Sequence, residues 1–389
     1  MGTPGLRGGV PAARLARRST FAARGFGGQE SRALRHTHPM RILVYEFASG
    51  GGFAGRAVPA SLAREGLAMR SALVADLAAI GRHEIVTTTD IRFSHAAPPG
   101  VDVVPLLPGA APTLDALIAS VDAVWLVAPE TDRCLERLAA RVERKGKKLL
   151  GPAAAVIRKA SNKERLPRRL ARAGVRHPQT CVLAPASAGL RRGRPGMDAR
   201  IAARQLGYPI VVKPGRGAGC QGVRLARNAR ELRDALDAAH RANSRGSLVM
   251  QRYVRGTAAS VSLLADGRRA VALTVNAQRV SASSGFCYRG GQTPFDHPLA
   301  AAAADAAMRT CVAFPGLRGY VGVDVVLTDA EPVVIEVNPR LTTAYLGVRA
   351  VLEENVAALA LAACDGILPA QPTTRRRVRF TAAGQVASR

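Results

Sequence analysis

The chain has 389 residues, of which 56 are Lys or Arg and 28 are Asp or Glu, so its formal net charge is +28. This length allows two or three folded domains. Hydrophobic residues make up 48% of the sequence, which excludes a largely disordered chain. The longest apolar run, Val356–Cys364, has nine residues. A helix that spans a bilayer needs roughly 18 or more, so no membrane partner is expected.

The positive charge is spread along the chain rather than collected on one element. Only six of the 56 basic residues are Lys, and aromatic residues make up 4% of the sequence. A nucleic-acid-binding surface would gather basic residues on one face with interleaved aromatics. We therefore expect no nucleic-acid partner, with polyanion binding as the weaker alternative. Six Cys without CxxC spacing favour reduced thiols and a cytoplasmic protein.

Both ends of the chain are basic. Residues 1–39 carry seven Arg and one Glu without hydrophobic periodicity, which predicts a disordered leader or a start codon assigned upstream of Met40. No apolar segment follows Arg17-Arg18, so an export signal is not expected. Residues 366–389 carry five Arg and no acidic residue and are interpreted as a basic tail.

Residues 40–150 alternate apolar strands with helical patterns, which is typical of a parallel, Rossmann-like α/β domain. The predicted strands are 42–47, 84–89 and 123–127, and the predicted helices are 61–80, 113–120 and 132–144. The first strand runs into Ser49-Gly50-Gly51-Gly52, which is not GxGxxG and lacks the acidic residue expected about 20 residues later. This turn either contacts a substrate or, as the weaker alternative, binds a nucleotide.

From residue 151 onward the strands follow one another, which indicates an α+β domain built on antiparallel sheet. The predicted strands are 208–214, 223–226, 248–254, 259–264, 270–275, 320–327 and 333–337. The predicted helices are 161–173 with Ser161 as its N-cap, 228–243, one that begins near 299, and 345–364. A loop is predicted at 281–297.

The last two strands predict a metal site. A hairpin symmetric about Ala330 places Asp324 opposite Glu336, and Asn338 lies on the same face because alternate residues share a face. Two carboxylates that face each other among Val, Ile and Leu repel. A hard divalent cation with oxygen ligands would relieve this repulsion. The alternative is that one carboxylate faces solvent or pairs with Arg340.

Two lysines stand out in a chain whose cations are nearly all Arg. Lys213 leaves an apolar strand directly before a glycine-rich loop that contains Gly215, Gly217 and Gly219. Such a lysine holds phosphate oxygens while backbone N–H groups approach closely. Lys163 follows Ser161-Asn162 and is either a second phosphate ligand or a solvated helix lysine.

Together these residues resemble the ATP-grasp family over about 150–365. The resemblance implies an ATP-grasp domain at 151–365, with a lid at about 175–250 and a metal-binding core at about 251–365. It implies ATP and Mg²⁺ or Mn²⁺ as cofactors. The residues that the resemblance assigns to ATP are Lys163, Lys213, Gly215, Gly217, Gly219, Gln251, Arg252, Tyr253 and Val254. It assigns the metal to Asp324, Glu336 and Asn338.

One feature departs from the family pattern. Ala258 and Ala259 stand where many members carry an acid for the ribose hydroxyls. A narrower resemblance, to the tyramine–glutamate ligases and their bacterial relatives, covers about 40–350. It rests on Tyr45–Gly52, Gly219–Gly222 and Asn338–Thr343, among others.

This narrower resemblance implies a carboxylate–amine ligase that forms an amide through an acyl phosphate. Glutamate and a phenolic amine would be the substrates, in the biosynthesis of a furan-type C1 carrier. Arg340 and Lys213 would be catalytic, and Tyr288, Arg289 and Gly290 would line the substrate cleft. The partners would be small molecules, an amino acid and an amine, and a homo-oligomer is allowed. An ATP-grasp carboxylase and a non-catalytic nucleotide-binding module are the alternatives.

Overall fold

The structure is a computed structural model. It describes residues 38–388, apart from 54, 94–96, 108, 185–189, 192–193, 218, 244–245 and 282–284. The predicted leader therefore lies, up to residue 37, outside the described residues. No helix among the described residues is long and apolar enough to cross a membrane.

The first part of the chain forms a five-stranded parallel sheet with strand order β3-β2-β1-β4-β5. Its strands are β1 (Arg41–Glu46), β2 (Glu84–Thr89), β3 (Val101–Pro105), β4 (Ala123–Val127) and β5 (Lys148–Leu149). The helices between them are α1 (Ala60–Ala79), α2 (Leu114–Ala119) and α3 (Cys134–Arg144). β1 and β4 are almost wholly buried, as expected of apolar strands covered on both faces. The predicted parallel α/β domain is confirmed.

Two short helices, α4 (Ala154–Ala160) and α5 (Leu166–Arg172), lead into a four-stranded antiparallel sheet with order β10-β9-β11-β6. This sheet and its helices, residues 180–252, are called the lid. The strands of the sheet are β6 (Thr180–Leu183), β9 (Ile210–Pro214), β10 (Arg224–Ala226) and β11 (Leu248–Arg252), and a short ribbon of β7 (Leu190–Arg191) and β8 (Arg194–Pro195) lies within the same segment. Two helices, α6 (Met197–Leu206) and α7 (Ala229–Ala242), complete it.

The remaining strands form a seven-stranded sheet with order β16-β15-β12-β13-β14-β17-β18. They are β12 (Thr257–Asp266), β13 (Ala270–Ser281), β14 (Cys287–Thr293), β15 (Arg318–Leu327), β16 (Pro332–Asn338), β17 (Val378–Thr381) and β18 (Val386–Ser388). Three helices accompany this sheet, namely α8 (Ala300–Val312), α9 (Tyr345–Val351) and α10 (Val356–Cys364). Every described pairing in the sheet is antiparallel, as the run of consecutive strands predicted.

Two helix predictions are wrong in detail, and in both cases an asparagine side chain explains the difference. Ser161 ends α4, since its hydroxyl donates to the carbonyl of Ile157. Asn162 lies before the next helix, and its Oδ1 accepts from the backbone N–H of Glu164 and of Arg165. These bonds hold the turn that leads to Arg165, the N-cap residue of α5. The predicted helix 345–364 is broken, because Asn355 caps α10 by accepting from the N–H of Ala358.

The predicted loop at 281–297 contains the strand β14 (Cys287–Thr293), which pairs with β13 and β17. Its glycines hid it from sequence analysis, since glycine is depleted in strands. The structure requires both glycines of this strand. A Cβ on Gly290, at φ 117°, would lie 2.1 Å from the carbonyl oxygen of Phe380, and one on Gly291 would lie 2.3 Å from that of Ala277. The basic tail likewise contains β17 and β18, which extend the sheet.

Candidate active site

A cavity of about 210 Å³, called the main cleft, lies between the lid and the seven-stranded sheet. Most of the residues that the sequence assigned to ATP or metal line it. They are Lys163, Lys213, Gly217, Gly219, Gln251, Arg252, Tyr253, Val254, Asp324 and Glu336. The antiparallel pairing of β9 with β11 brings Lys213 opposite Val249, so one sheet delivers both the lysine and the 251–254 segment to the cleft.

The hairpin β15–β16 places Asp324 opposite Glu336 and Gly322 opposite Asn338, as predicted. Nearer the turn the predicted register is wrong by one residue, because the register shifts between Asp324 and Val325. Both Asp324 oxygens accept from amides: Oδ1 from Gln278 Nε2 at 2.8 Å and Oδ2 from Asn338 Nδ2 at 3.0 Å. Burial, together with the charge of Glu336, raises the pKa of Asp324 to about 6. The two carboxylates are therefore close enough for the charge of one to disfavour ionisation of the other.

This pair fits a hard divalent cation by its oxygen donors and by its crowded negative charge. Among the described residues, however, no three His, Cys, Asp or Glu side chains come together in one metal-binding group. A cation here would therefore depend on Asp324, Glu336 and further oxygens from the Asn338 amide or from a bound phosphate. As placed, Asn338 presents its N–H to Asp324, so it would have to turn its amide to offer the oxygen.

Both lysines are buried beside these carboxylates. Lys163 Nζ lies 2.7 Å from Glu336 Oε1 and donates to the carbonyl oxygen of Gly217 at 2.8 Å. Burial acts to raise the pKa of Glu336, but the positive charges of Lys163 and Lys213 outweigh it and hold this pKa below its ordinary value. Burial lowers the pKa of Lys213 to about 8. Lys163 is therefore not the solvated lysine of the alternative interpretation.

The glycine-rich loop after β9 lets the backbone approach its neighbours closely. A Cβ on Gly215 would lie 2.5 Å from Ser247 Oγ. Gly219 and Cys220 both have positive φ, 65° and 62°, so their backbone takes a conformation that favours glycine. This loop covers one end of the main cleft.

Residues 251–254 leave β11 along the cleft wall. The N–H of Arg252 donates to the carbonyl of Gln179, and the N–H of Tyr253 donates to that of Pro209. Ala258 also lines the cleft, so the position noted in the sequence carries no acid there. Sequence analysis missed Gln278, because it reaches Asp324 only through the pairing of β12 with both β13 and β15.

Arg340 is placed differently from the other predicted residues. Its Nε and Nη2 donate to the two carboxylate oxygens of Glu130 at 2.9 and 3.0 Å, and both side chains are largely buried. Burial opposes its charge, yet Glu130 keeps the pKa of Arg340 raised. The alternative pairing of Arg340 with Asp324 or Glu336 is not found. No sequence pattern links Glu130 to Arg340, which lies 210 residues further along the chain.

Arg340 lines a second cavity of about 440 Å³, called the side cavity, which lies at the carboxyl ends of β1 and β4. Gly219 and Gln221 line both cavities, so the two meet at the glycine-rich loop. The predicted substrate residues Tyr288, Arg289 and Gly290 lie on β14 and are not among the described residues that line either cavity. Phe286, just before them, lines the main cleft.

Comparison with protein families identifies the fold. Residues 160–344 match the ATP-grasp domain, and residues 83–157 match the pre-ATP-grasp domain. The chain carries an ATP-grasp domain. The parallel sheet in front of it completes the ATP-grasp architecture that the sequence predicted.

Among curated relatives, tyramine–L-glutamate ligase of Methanocaldococcus fervens is 36% identical over 103 residues, which are 26% of this chain and 34% of that enzyme. D-alanine–D-alanine ligase of Anaeromyxobacter sp. is 32% identical over 166 residues, which are 39% of this chain and 52% of that enzyme. The matches thus span about a third to a half of these relatives.

A crystal structure of an ATP-grasp superfamily protein from Archaeoglobus fulgidus has a TM-score of 0.64 and 25% sequence identity. It is similar over 87% of this chain and 92% of that protein. The likeness therefore extends over both the parallel sheet and the ATP-grasp domain.

Proposed function

We propose that this protein is an ATP-dependent ligase that joins a carboxylate to an amine. The observation that carries the proposal is the convergence of Lys163, Lys213, Asp324 and Glu336 in one cleft that shares part of its lining with a larger side cavity. The lysines of the cleft would neutralise the phosphates of a nucleoside triphosphate, and its carboxylates would bind a cation. The side cavity leaves room for an acyl donor and an acceptor.

The reaction would have two steps. A carboxylate oxygen attacks the γ-phosphorus of ATP, which gives an acyl phosphate and ADP; an amine then displaces phosphate. Positioning and charge neutralisation dominate such phosphoryl transfers. Lys163 and Lys213 would hold the phosphates, with the glycine-rich loop above them and residues 251–254 beside the adenine. Mg²⁺ or Mn²⁺ at Asp324, Glu336 and Asn338 would offset charge on the phosphates.

Glutamate is our proposed acyl donor and a phenolic amine the acceptor. The similarity to tyramine–L-glutamate ligase supports this choice. So does the side cavity, which combines arginines for a carboxylate with aromatic walls. Arg56 and Arg137 are exposed at the cavity, and Arg340 lies deeper, where its pairing with Glu130 fixes the guanidinium beside the glycine-rich loop.

The test is ADP release with ATP and Mg²⁺, first with each of a panel of amino acids as donor. Hydroxylamine then traps the acyl phosphate as a hydroxamate, and mass spectrometry detects the amide formed with tyramine, tyrosine, phenethylamine or ammonia. We expect ADP to require glutamate and amide to require an amine as well. Bicarbonate-dependent ADP release without any amine would replace the ligase by a carboxylase. Nucleotide binding without turnover under every condition would indicate a binding module.

A further inference from the structure

Part of the side cavity is lined by aromatic and aliphatic side chains, which would contact the apolar part of an acceptor. Phe47 and Phe53 contact each other with ring centroids 5.1 Å apart, and both line the cavity. Leu62 and Met69, from α1, add aliphatic surface. An amine that carries a ring or chain would bury it here, which is favourable in proportion to the apolar area removed from water.

Three carboxylates line the same cavity, and they differ in burial and in their hydrogen-bond and ion-pair partners. Glu46 is buried and accepts from the N–H of Ala48 and from the N–H and hydroxyl of Ser49, so it holds the turn after β1. Asp132 is exposed in the short turn just before α3. Glu65 is half-buried on α1, and no Lys or Arg forms an ion pair with it anywhere in the part of the chain that the structure describes.

Two contacts fix the position of Glu65. Its neighbour Gly66 lets α1 approach β1, since a Cβ there would lie 2.5 Å from the Glu46 carboxylate. The hydroxyl of Thr343 donates to Glu65 Oε1, which ties α1 to the segment that follows Arg340. Glu65 therefore lies on the side of the cavity that faces the core of the ATP-grasp domain.

Glu65 lines the side cavity together with Arg340 and with Gly219, and Gly219 also lines the main cleft. Burial is the main cause of the raised pKa of Tyr288, and the negative charge of Glu65 adds to it. The same charge adds to the raised pKa of Cys220, which is also due mainly to burial. Glu65 likewise adds, after Glu130, to the raised pKa of Arg340. The Glu65 carboxylate therefore shares the side cavity with residues of the glycine-rich loop that also border the main cleft.

We propose that Glu65 binds the ammonium group of the acceptor and takes its proton. This inference rests on the proposed ligase function and deepens it. The Glu65 carboxylate accepts one proton from R–NH₃⁺, which leaves the neutral amine. The nitrogen lone pair then attacks the carbonyl carbon of the acyl phosphate, the C–N bond forms and the C–O bond to phosphate breaks. The second nitrogen proton leaves with the phosphate as HPO₄²⁻, and Glu65 returns its proton to water.

The experiment compares amide formation with hydroxamate formation in Glu65→Gln, Glu65→Asp and the wild type, with ATP, Mg²⁺ and glutamate. Hydroxylamine is small and uncharged at neutral pH, so it needs neither an ammonium partner nor a base. We expect Glu65→Gln to lower kcat/KM for the best amine of the panel by about 100-fold or more, while hydroxamate formation changes by less than about threefold. Glu65→Asp, which keeps the charge, should recover part of the loss.

A matched control is Glu84→Gln, an exposed carboxylate on β2 that pairs with Arg41 at the opposite end of the parallel sheet. It should change neither rate. An equal loss of amide and hydroxamate in Glu65→Gln would overturn the proposal, as would unchanged amide formation. Absence of hydroxamate from the wild type with every donor would instead overturn the ligase function, and the role of Glu65 with it.

Discussion

At the scale of single residues, the carboxylate pair and the two lysines of the main cleft share one electrostatic environment. Burial and the charge of Glu336 together raise the pKa of Asp324. Burial also acts to raise the pKa of Glu336, but the two lysines outweigh it and lower that pKa. Each charge thus sets the ionisation of its neighbours, so a change at one position alters the whole group.

The first prediction concerns Glu336→Gln, which removes one charge and keeps the shape. Turnover should fall by about 100-fold or more, because a cation at this site loses an anionic ligand. Thermal unfolding should show that the protein still folds. Glu331→Gln is the matched control, since Glu331 lies on the same hairpin and pairs at the surface with Arg176. Full activity of Glu336→Gln at saturating Mg²⁺ would contradict the metal assignment.

The second prediction is a pH dependence of nucleotide binding. Because burial lowers the pKa of Lys213 to about 8, its ammonium form is lost as the pH rises through that value. The affinity for ADP–Mg²⁺ should therefore decrease from pH 7 to pH 9, which calorimetric titration can measure. Lys213→Arg stays charged over this range and should show a flatter dependence. The same slope in both proteins would exclude Lys213 as its source.

Much of this group of residues was predictable because it depends on local geometry. A hairpin between two consecutive strands could be read from the sequence, and with it the approach of Asp324 to Glu336. The register shift between Asp324 and Val325, which completes this pairing, could not. The ion pair of Arg340 with Glu130 and the contact of Thr343 with Glu65 could not, because they join segments far apart in the chain. Only the packing of one domain on the other creates them.

At the scale of elements, apolar strands were predictable and polar or glycine-rich ones were not. β2 and β4 have the predicted bounds, since each is a run of β-branched or apolar residues. β14 has the sequence CYRGGQT, and its strand conformation depends on its neighbours β13 and β17. The C-terminal segment was interpreted as a tail because its arginines obscured the alternating pattern of β17.

The third prediction tests whether β17 is an integral strand. Phe380 is 1% exposed, and its ring fills space that Gly347 and Gly291 leave open. Phe380→Ala should lower the free energy of unfolding by about 3–5 kcal/mol, as measured by urea denaturation. Arg379→Ala, on the exposed face of the same strand, should change it by less than about 0.5 kcal/mol. Equal effects of the two substitutions would mean that β17 contributes no core.

At the scale of the whole molecule, the parallel sheet and the ATP-grasp core share one hydrophobic cluster. Leu73 of α1 belongs to the same cluster as Tyr345 and Val356 from the C-terminal helices. Asp76 reinforces this contact, since it accepts from the hydroxyl of Tyr345 at 2.6 Å and from Arg349 Nε at 2.8 Å. The lid, by contrast, has a separate cluster of its own.

The last prediction follows from this division. Leu73→Ala and Leu236→Ala each remove a buried leucine, the first from the shared cluster and the second from the lid cluster. Each substitution should lower the free energy of unfolding of the part of the molecule that it affects by about 2–5 kcal/mol. Hydrogen exchange should therefore speed up throughout the parallel sheet and the core in Leu73→Ala. In Leu236→Ala it should speed up only within the lid, residues 180–252, because few apolar contacts link the lid cluster to the rest. Faster exchange of β1 in Leu236→Ala would show that the lid unfolds together with the core, and a lid that opens on its own to admit nucleotide would then be excluded.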